Sequence, residues 1–250
     1  MRKFFLVLGG VMVAFSVFSQ GITLYAAAGV KAPMTDIVTH FKSITGIDIA
    51  LVFDTAGGAE TRFLADPSAT FLVTSKVRVD QAMKAGKLFD GITFVLGDTV
   101  AGIAAAPGTI KPDISTSEKF KAALLAAPSI AFSDPAKGAT VGTHFLKVIE
   151  KLGIKDEVLA KATLGADGTI TMDLVLSGKV SLGVTQLSEV IQANPESIVG
   201  PFPPEFDLAT TYTLWYRSAA SEKAKAFAAY LALPESRARL TADGVRAPVL

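Results

Sequence analysis

A strand that is apolar on nearly both faces constrains the fold of this chain most. Residues 47–53 read Ile-Asp-Ile-Ala-Leu-Val-Phe and run straight into a glycine-containing turn and a short helix. Strands of this kind belong to parallel sheets that helices cover on both sides. Strand and helix patterns alternate along the chain, and a second glycine-bearing turn, at residues 134–142, again leads from a strand into a helix. The sequence therefore predicts an α/β fold built from two similar units.

The first glycine turn is a candidate ligand site. It reads Phe53-Asp54-Thr55-Ala56-Gly57-Gly58-Ala59. Glycines at a helix start leave backbone N–H groups uncovered, and the unpaired donors and the positive end of the helix dipole favour an anion. Paired glycines between a strand and a helix are also common as simple turns, so this alternative stays open. We expect Thr55, Gly57 and Gly58 to lie at the cleft between the two units.

The N-terminus has the layout of a secretory signal. A cationic start, Met1-Arg2-Lys3, precedes an apolar run at residues 4–18 and a small-residue exit near Ser19. We expect residues 1–19 to be removed and the mature protein to be periplasmic; an uncleaved membrane anchor is the alternative. The chain has no cysteine, so disulfides cannot stabilise it.

Charge and residue usage exclude several functions. Removing Arg2 and Lys3 leaves 22 basic residues against 23 acidic ones, a net charge of −1 without basic runs, which argues against a nucleic-acid partner. Thiol catalysis is excluded, and two histidines far apart in sequence do not favour a metal site. A hydrolase using Ser133, His144 and Asp134 is arithmetically possible, but no Gly-x-Ser-x-Gly elbow is present. We expect a protein that is not an enzyme and that needs no cofactor.

Four ordered segments resemble the molybdate-binding branch of bacterial periplasmic solute-binding proteins. They are Ile22-Thr-Leu-Tyr-Ala-Ala-Ala-Gly29, residues 46–58, Leu174-Val-Leu-Ser-Gly-Lys-Val-Ser-Leu-Gly183, and residues 224–236 followed by Asp243-Gly244-Val245. The resemblance covers essentially the whole mature chain.

The resemblance implies a type II architecture of two lobes that close over a ligand, with two strands crossing between the lobes. Lobe one would be residues 21–96 plus 217–250, and lobe two residues 97–216. Such proteins deliver a solute to the membrane permease of an ABC-type importer and perform no chemistry themselves. We expect a monomer whose lobes close about a hinge.

The side chains that bind ligand in that family are replaced here. The resemblance places the first ligand serine of the family on Gly29 and the second on Ala56, with Thr55 as the preceding hydroxyl. It places the two amide donors on about Val141 and on Gly168, and the tyrosine of the family on Gln186. None of the three side-chain hydroxyls is kept.

This loss suggests a different ligand. A buried oxyanion needs a tight shell of neutral donors, because an unpaired acceptor costs on the order of 1–3 kcal/mol. We expect the replacements to open space for a larger anion, a di- or tricarboxylate, that Arg62 holds by a bidentate contact. Molybdate, tungstate or another tetrahedral oxyanion is the alternative, and a sensing role is a further one. For Arg62 and His144 the alternative is an ordinary surface position. The remaining polar groups expected near the cleft are Lys31, Thr74, Ser75, Thr143, His144 and Gln186.

Overall fold

The computed structural model describes residues 21–247. The predicted signal segment, residues 1–19, therefore lies outside the described residues. None of the helices within residues 21–247 is long and apolar enough to cross a bilayer.

Strands and helices alternate along the described chain, as the sequence predicts. In chain order they are β1 Ile22–Ala27, α1 Lys31–Thr45, β2 Ile49–Asp54, α2 Ala56–Ala65, β3 Phe71–Ser75, α3 Lys76–Lys84, β4 Gly91–Ala105, α4 Ser117–Ala126, β5 Ile130–Ser133, α5 Thr140–Lys151, α6 Lys155–Leu159, β6 Ala162–Gly165, α7 Gly168–Leu176, β7 Leu182–Gln186, α8 Leu187–Ala193, β8 Ile198–Pro201, β9 Ala209–Arg217, α9 Glu222–Leu231 and α10 Pro234–Ala242.

Two parallel sets of strands are joined by two long antiparallel strands. The order is β2-β1-β3-β9-β4-β7-β5-β6, with β8 also paired to β4. Pairs β1–β2 and β1–β3 are parallel, as are β5–β6 and β5–β7. Residues 91–100 of β4 pair with β9, whereas residues 101–105 pair with β7. Strands β4 and β9 thus connect one set to the other.

Each parallel set has its own hydrophobic core. In the first, Phe71, Phe227 and Leu24 are fully buried, and in the second Phe132 and Phe145 are. Burying a large apolar side chain of this kind contributes roughly 1.5–3 kcal/mol to the free energy of folding. Each set of strands and the helices packed on it are therefore stabilised by a core of their own.

The two sets form two lobes, which is the type II α/β architecture that the resemblance implies. The lobe boundaries, residues 21–96 with 217–250 and residues 97–216, stay a prediction, because β4 and β9 run without a break through both lobes.

Candidate functional site

Three helices begin at the same place between the lobes. Helix α2 follows β2 in one lobe, and α5 and α7 follow β5 and β6 in the other. The first amides of a helix have no acceptor within the helix and lie at its positive end. Ala56, Val141 and Gly168 lie in the first turns of these helices, and all three line one small cavity of about 30 Å³.

We call this space the inner cavity. Its lining from lobe one is Ala27, Ala28, Gly29, Thr55 and Ala56, and the crossing strand β9 adds Tyr212. Its lining from lobe two is Ser133, Ala139, Thr140, Val141, Gly168, Thr185, Gln186 and Glu189. Six of the positions predicted from the sequence therefore lie together: Gly29, Thr55, Ala56, Val141, Gly168 and Gln186. Their contact with a ligand stays a prediction.

Gln186 presents an unsatisfied amide group. Its side-chain N–H donates to the Thr210 hydroxyl at 2.8 Å, whereas its Oε1 atom is buried without a partner. Amide oxygen and nitrogen are assigned from the hydrogen-bond network, and the hydroxyl of Thr210 can equally donate to an amide oxygen. Gln186 can therefore offer either an acceptor or a donor to a cavity occupant.

Glu189 is a cavity residue that the sequence reasoning missed. It lies in the first turn of α8, where its carboxylate accepts hydrogen bonds from the Thr185 hydroxyl and from the Gln186 N–H at 3.1 Å. The carboxyl packs so closely on α7 that a Cβ on Gly168 would overlap it. Burial raises the pKa of Glu189 to about 7. The signal in the sequence is the Gln186-x-x-Glu189 spacing of a helix-capping pair.

Tyr212 is a second cavity residue that the sequence reasoning missed, and its position contradicts an expectation about Gly29. A Cβ on Gly29 would overlap the Tyr212 hydroxyl, so the phenol of β9 occupies the place that a side chain at position 29 would take. Tyr212 is buried, and burial raises its pKa. The expectation that Gly29 opens space for a larger ligand is therefore wrong at this position, because a tyrosine fills the space.

A second, larger space lies outside the inner cavity. This outer pocket, of about 590 Å³, is lined by residues that include Gly57, Gly58, Arg62, Arg78 and Lys137.

Three hydrogen bonds between the lobes separate the outer pocket from the inner cavity. The N–H of Gly57 donates to the carbonyl of Gly138 at 3.1 Å, and Arg78 Nη2 donates to the same carbonyl at 3.3 Å. The Thr55 hydroxyl donates to the Lys137 carbonyl. The two lobes are closed at this edge.

The two glycine amides of the expected anion-binding turn already have acceptors within the protein. The N–H of Gly57 is taken by Gly138, and the N–H of Gly58 donates to the Thr55 hydroxyl at 2.9 Å. In this arrangement the first-turn position of α2 that faces the inner cavity is Ala56.

The predicted clamp, Arg62, lies on the outer pocket rather than in the inner cavity. Its Nε forms an ion pair of 2.7 Å with Asp54, and its side chain is 59% exposed. Arg62 therefore makes no bidentate contact with a ligand in the inner cavity in this geometry.

Five other predicted polar residues line neither space. Thr74 is buried and its hydroxyl donates to the carbonyl of Ala56 at 2.8 Å, so it supports the start of α2 from behind. Ser75 is buried at the end of β3. Thr143 is exposed and its hydroxyl donates to Ala139, while His144 Nε2 lies 2.7 Å from the carbonyl of Phe206. Lys31 is exposed at the start of α1.

Among the residues that the structure describes, Ser133, His144 and Asp134 do not form a triad. Ser133 Oγ lies 3.2 Å from the Thr171 hydroxyl, His144 bonds Phe206, and Asp134 accepts from the N–H of Ala136. Within residues 21–247, no group of three or more metal-ligating His, Cys, Asp or Glu residues was found.

Comparisons with known proteins agree with this geometry. The family model for bacterial extracellular solute-binding proteins matches residues 22–246. Aconitate isomerase of a Pseudomonas species is 25% identical over 232 residues, covering 90% of this chain and 87% of that protein. The molybdate-binding protein of Escherichia coli is 24% identical over 214 residues, covering 82% of each chain.

A solved structure shows the same fold. The periplasmic molybdate-binding protein of Azotobacter vinelandii superposes with a TM-score of 0.74 at 19% identity, covering 91% of this chain and 100% of that chain. The match along residues 22–246 and the two-lobed fold show that the chain belongs to the bacterial extracellular solute-binding proteins.

Proposed function

We propose that this protein captures a small anion between its lobes in the periplasm and delivers it, as a monomer, to the permease of an ABC-type importer. The observation that carries the proposal is the meeting of three helix starts, at Ala56, Val141 and Gly168, on one buried cavity. Unpaired helix amides bind anions without a cation, because the donors and the helix dipoles supply the favourable field.

For the ligand we propose a di- or tricarboxylate. One carboxylate group would enter the inner cavity, and the remainder would extend into the outer pocket. Lys137 supplies positive charge there, and Arg78, which pairs with Glu60 at 2.9 Å, would supply a second cation by exchanging that partner for the ligand. This placement requires the bond between Gly57 and Gly138 to open. The name of the Pseudomonas relative, aconitate isomerase, also points to a tricarboxylate.

Molybdate, tungstate or another compact oxyanion is the alternative within the same function. An inner cavity of about 30 Å³ favours a compact group, and the Escherichia coli relative is named for molybdate. A thermal-shift panel of molybdate, sulfate, fumarate, citrate and trans-aconitate separates the two. Ligand at about 100 times its dissociation constant adds about 2.7 kcal/mol to the free energy of unfolding. Stabilisation by molybdate and by no carboxylate would reject the carboxylate proposal.

Replacing Thr140, the first residue of α5, by proline tests whether a backbone amide of this helix start contributes to anion binding. Ala139 is extended (φ −67°, ψ 120°), which suits the residue before a proline, and proline is well accepted at the first helical position. Thr140 lines the inner cavity beside Val141, so Thr140→Pro removes the first N–H of this helix start and should leave the helix intact.

The expected loss of affinity is about ten- to a hundredfold, since a hydrogen bond to a charged group contributes about 1.5–3 kcal/mol. Thr140→Val, which keeps the amide and removes the hydroxyl, is the matched control. Calorimetry on both variants measures the effect. Unchanged affinity in Thr140→Pro would remove this helix start from the site.

A second candidate function is proton-transfer isomerisation of an unsaturated carboxylate. The observation that favours it is a buried carboxyl, Glu189, that lines the cavity with its pKa raised to about 7, the range in which a general base works best. The ionised carboxylate would take a proton from the carbon beside the double bond. The allylic electron pair then shifts, and the proton returns to the far carbon of the former double bond.

Deuterium exchange tests this second function. Wild-type protein with trans-aconitate in deuterated water should place deuterium on carbon and form an isomer, both detected by proton NMR. Glu189→Gln should bind the same compound without exchange. If wild-type protein binds trans-aconitate but leaves its carbon-bound protons unexchanged, the protein is a binding protein only.

A further inference from the structure

We propose that Glu189 stays protonated when the lobes hold an anion and donates its proton to that anion as a hydrogen bond, so that ligand affinity falls as the pH rises. The inference rests on the proposed function, because it requires an anion in the inner cavity. It assigns to Glu189 a role in specificity and is the alternative to isomerisation, which requires the ionised carboxylate while the ligand is bound.

The position of the carboxyl gives the first reason. Glu189 lines the inner cavity and is only 8% exposed. Its Oε2 atom already accepts from the Thr185 hydroxyl and the Gln186 N–H. An ionised carboxylate can only accept hydrogen bonds, whereas the neutral acid has one O–H to donate. An ionised Glu189 would repel an anion in this cavity, whereas the neutral acid would donate a hydrogen bond to it.

The surroundings give the second reason. Helix α7 contributes the carboxylate of its capping residue Asp167, and β9 contributes the phenol of Tyr212. Strand β4 carries Asp98 one residue before Thr99, which accepts from the N–H of Ser188 on α8. None of these groups is a cation, and among the described residues no cation contributes to the titration of Glu189.

Burial and the carboxylate of Asp167 both favour the neutral acid, and they raise the pKa of Glu189 to about 7. The apparent dissociation constant of a ligand is its intrinsic value divided by the fraction of protein in the competent state. With a pKa of about 7, that fraction falls from about nine-tenths at pH 6 to about one-tenth at pH 8. Affinity should therefore fall about tenfold between these two pH values.

Two probe anions, molybdate and fumarate, test the coupling, because both are fully ionised from pH 6 to pH 8. Calorimetry on the whole mature protein should give about tenfold weaker binding at pH 8. In Glu189→Gln, whose amide donates at every pH, the affinity should be the same at both pH values. Asp167→Asn is the matched control: it removes a neighbouring carboxylate but should keep a pH dependence, with a lower midpoint.

A ligand-free measurement accompanies the binding series. The carboxyl carbon signal of Glu189, assigned by its loss in Glu189→Gln, should titrate in NMR with a midpoint near 7. A midpoint near 4.5 overturns the inference whether or not an anion binds. Binding with equal affinity at pH 6 and pH 8 overturns the coupling alone, whereas no binding by either probe or by any anion of the panel overturns the proposed function together with the coupling.

Discussion

The buried carboxyl of Glu189 should make the stability of the protein depend on pH. In the unfolded chain this carboxyl has its ordinary pKa of 4.5, whereas burial in the folded protein raises the pKa to about 7. Below pH 4.5 the group is protonated in both states and does not affect folding. Between pH 4.5 and 7 the unfolded state loses the proton while the folded state keeps it, so stability falls as the pH rises.

The magnitude follows from the separation of the two pKa values. Each unit corresponds to about 1.36 kcal/mol, so a separation of about 2.5 units gives a total of about 3 kcal/mol, complete slightly above pH 7. Glu189→Gln has nearly the same shape and cannot ionise. Relative to wild type, this variant should therefore become more stable by about 3 kcal/mol between pH 4.5 and pH 7.5.

Urea unfolding of the mature protein at half-unit pH steps measures this difference. Comparing the two proteins at each pH cancels the contributions of the other carboxylates. Glu196→Gln, at an exposed glutamate, is the matched control and should show a pH-independent difference. A constant difference between Glu189→Gln and wild type across this pH range would refute the assignment of a neutral buried acid at position 189.

Three further predictions concern closure, the cavity wall and the outer pocket. Gly57→Ala places a Cβ 2.8 Å from the Cα of Gly138, so the lobes should close less completely and the affinity for a compact anion such as molybdate, which the closed lobes enclose, should fall at least tenfold; calorimetry measures the affinity and small-angle scattering checks the shape. Gly29→Ala forces a methyl group into Tyr212 and should destabilise the protein by about 1–3 kcal/mol, and Gly29→Ala in a Tyr212→Ala background should cost less, in denaturant unfolding. Arg62→Ala should change the affinity for a compact anion by less than about threefold, because Arg62 pairs with Asp54 at the exposed edge; a tenfold loss would place it in the site.

Local sequence signals predicted the fold well because they are repeated many times. Apolar strands followed by helices fixed the α/β class, and this alternation needs no knowledge of distant contacts. The sequence pattern of residues 92–96 and 100–105 indicates two separate strands, but both belong to β4. The Gly97-Asp98 pair looks like a turn in sequence, but β4 runs through it with a register shift against β9, from Val95 to Gly97.

The candidate site was predictable only where a helix start defines it. The resemblance to the solute-binding family placed ligand positions on Ala56, Val141 and Gly168, at helices that follow strands, and all three line the inner cavity. Glu189 and Tyr212 were missed because their roles depend on tertiary packing, in which α8 lies on α7 and β9 passes beside Gly29. Arg62 was overestimated because its side chain pairs with Asp54 and lies on the outer pocket, which its place in the sequence does not show.

The balance between open and closed lobes follows from the hydrogen bonds on either side of the cleft. Closure forms the bond from Gly57 to Gly138 and the contact of Arg78 with the same carbonyl, both made by the protein itself. Closure also removes polar groups of the inner cavity from water, and a buried group without a partner, such as Gln186 Oε1, costs about 1–3 kcal/mol. An occupant that pairs with these groups recovers this free energy only in the closed form. Each cavity group that gains a partner in this way should therefore shift the equilibrium toward the closed form by about five- to a hundred-and-fiftyfold. The polar groups of the inner cavity, rather than Arg62 and Arg78 of the outer pocket, should then decide which anion closes the lobes.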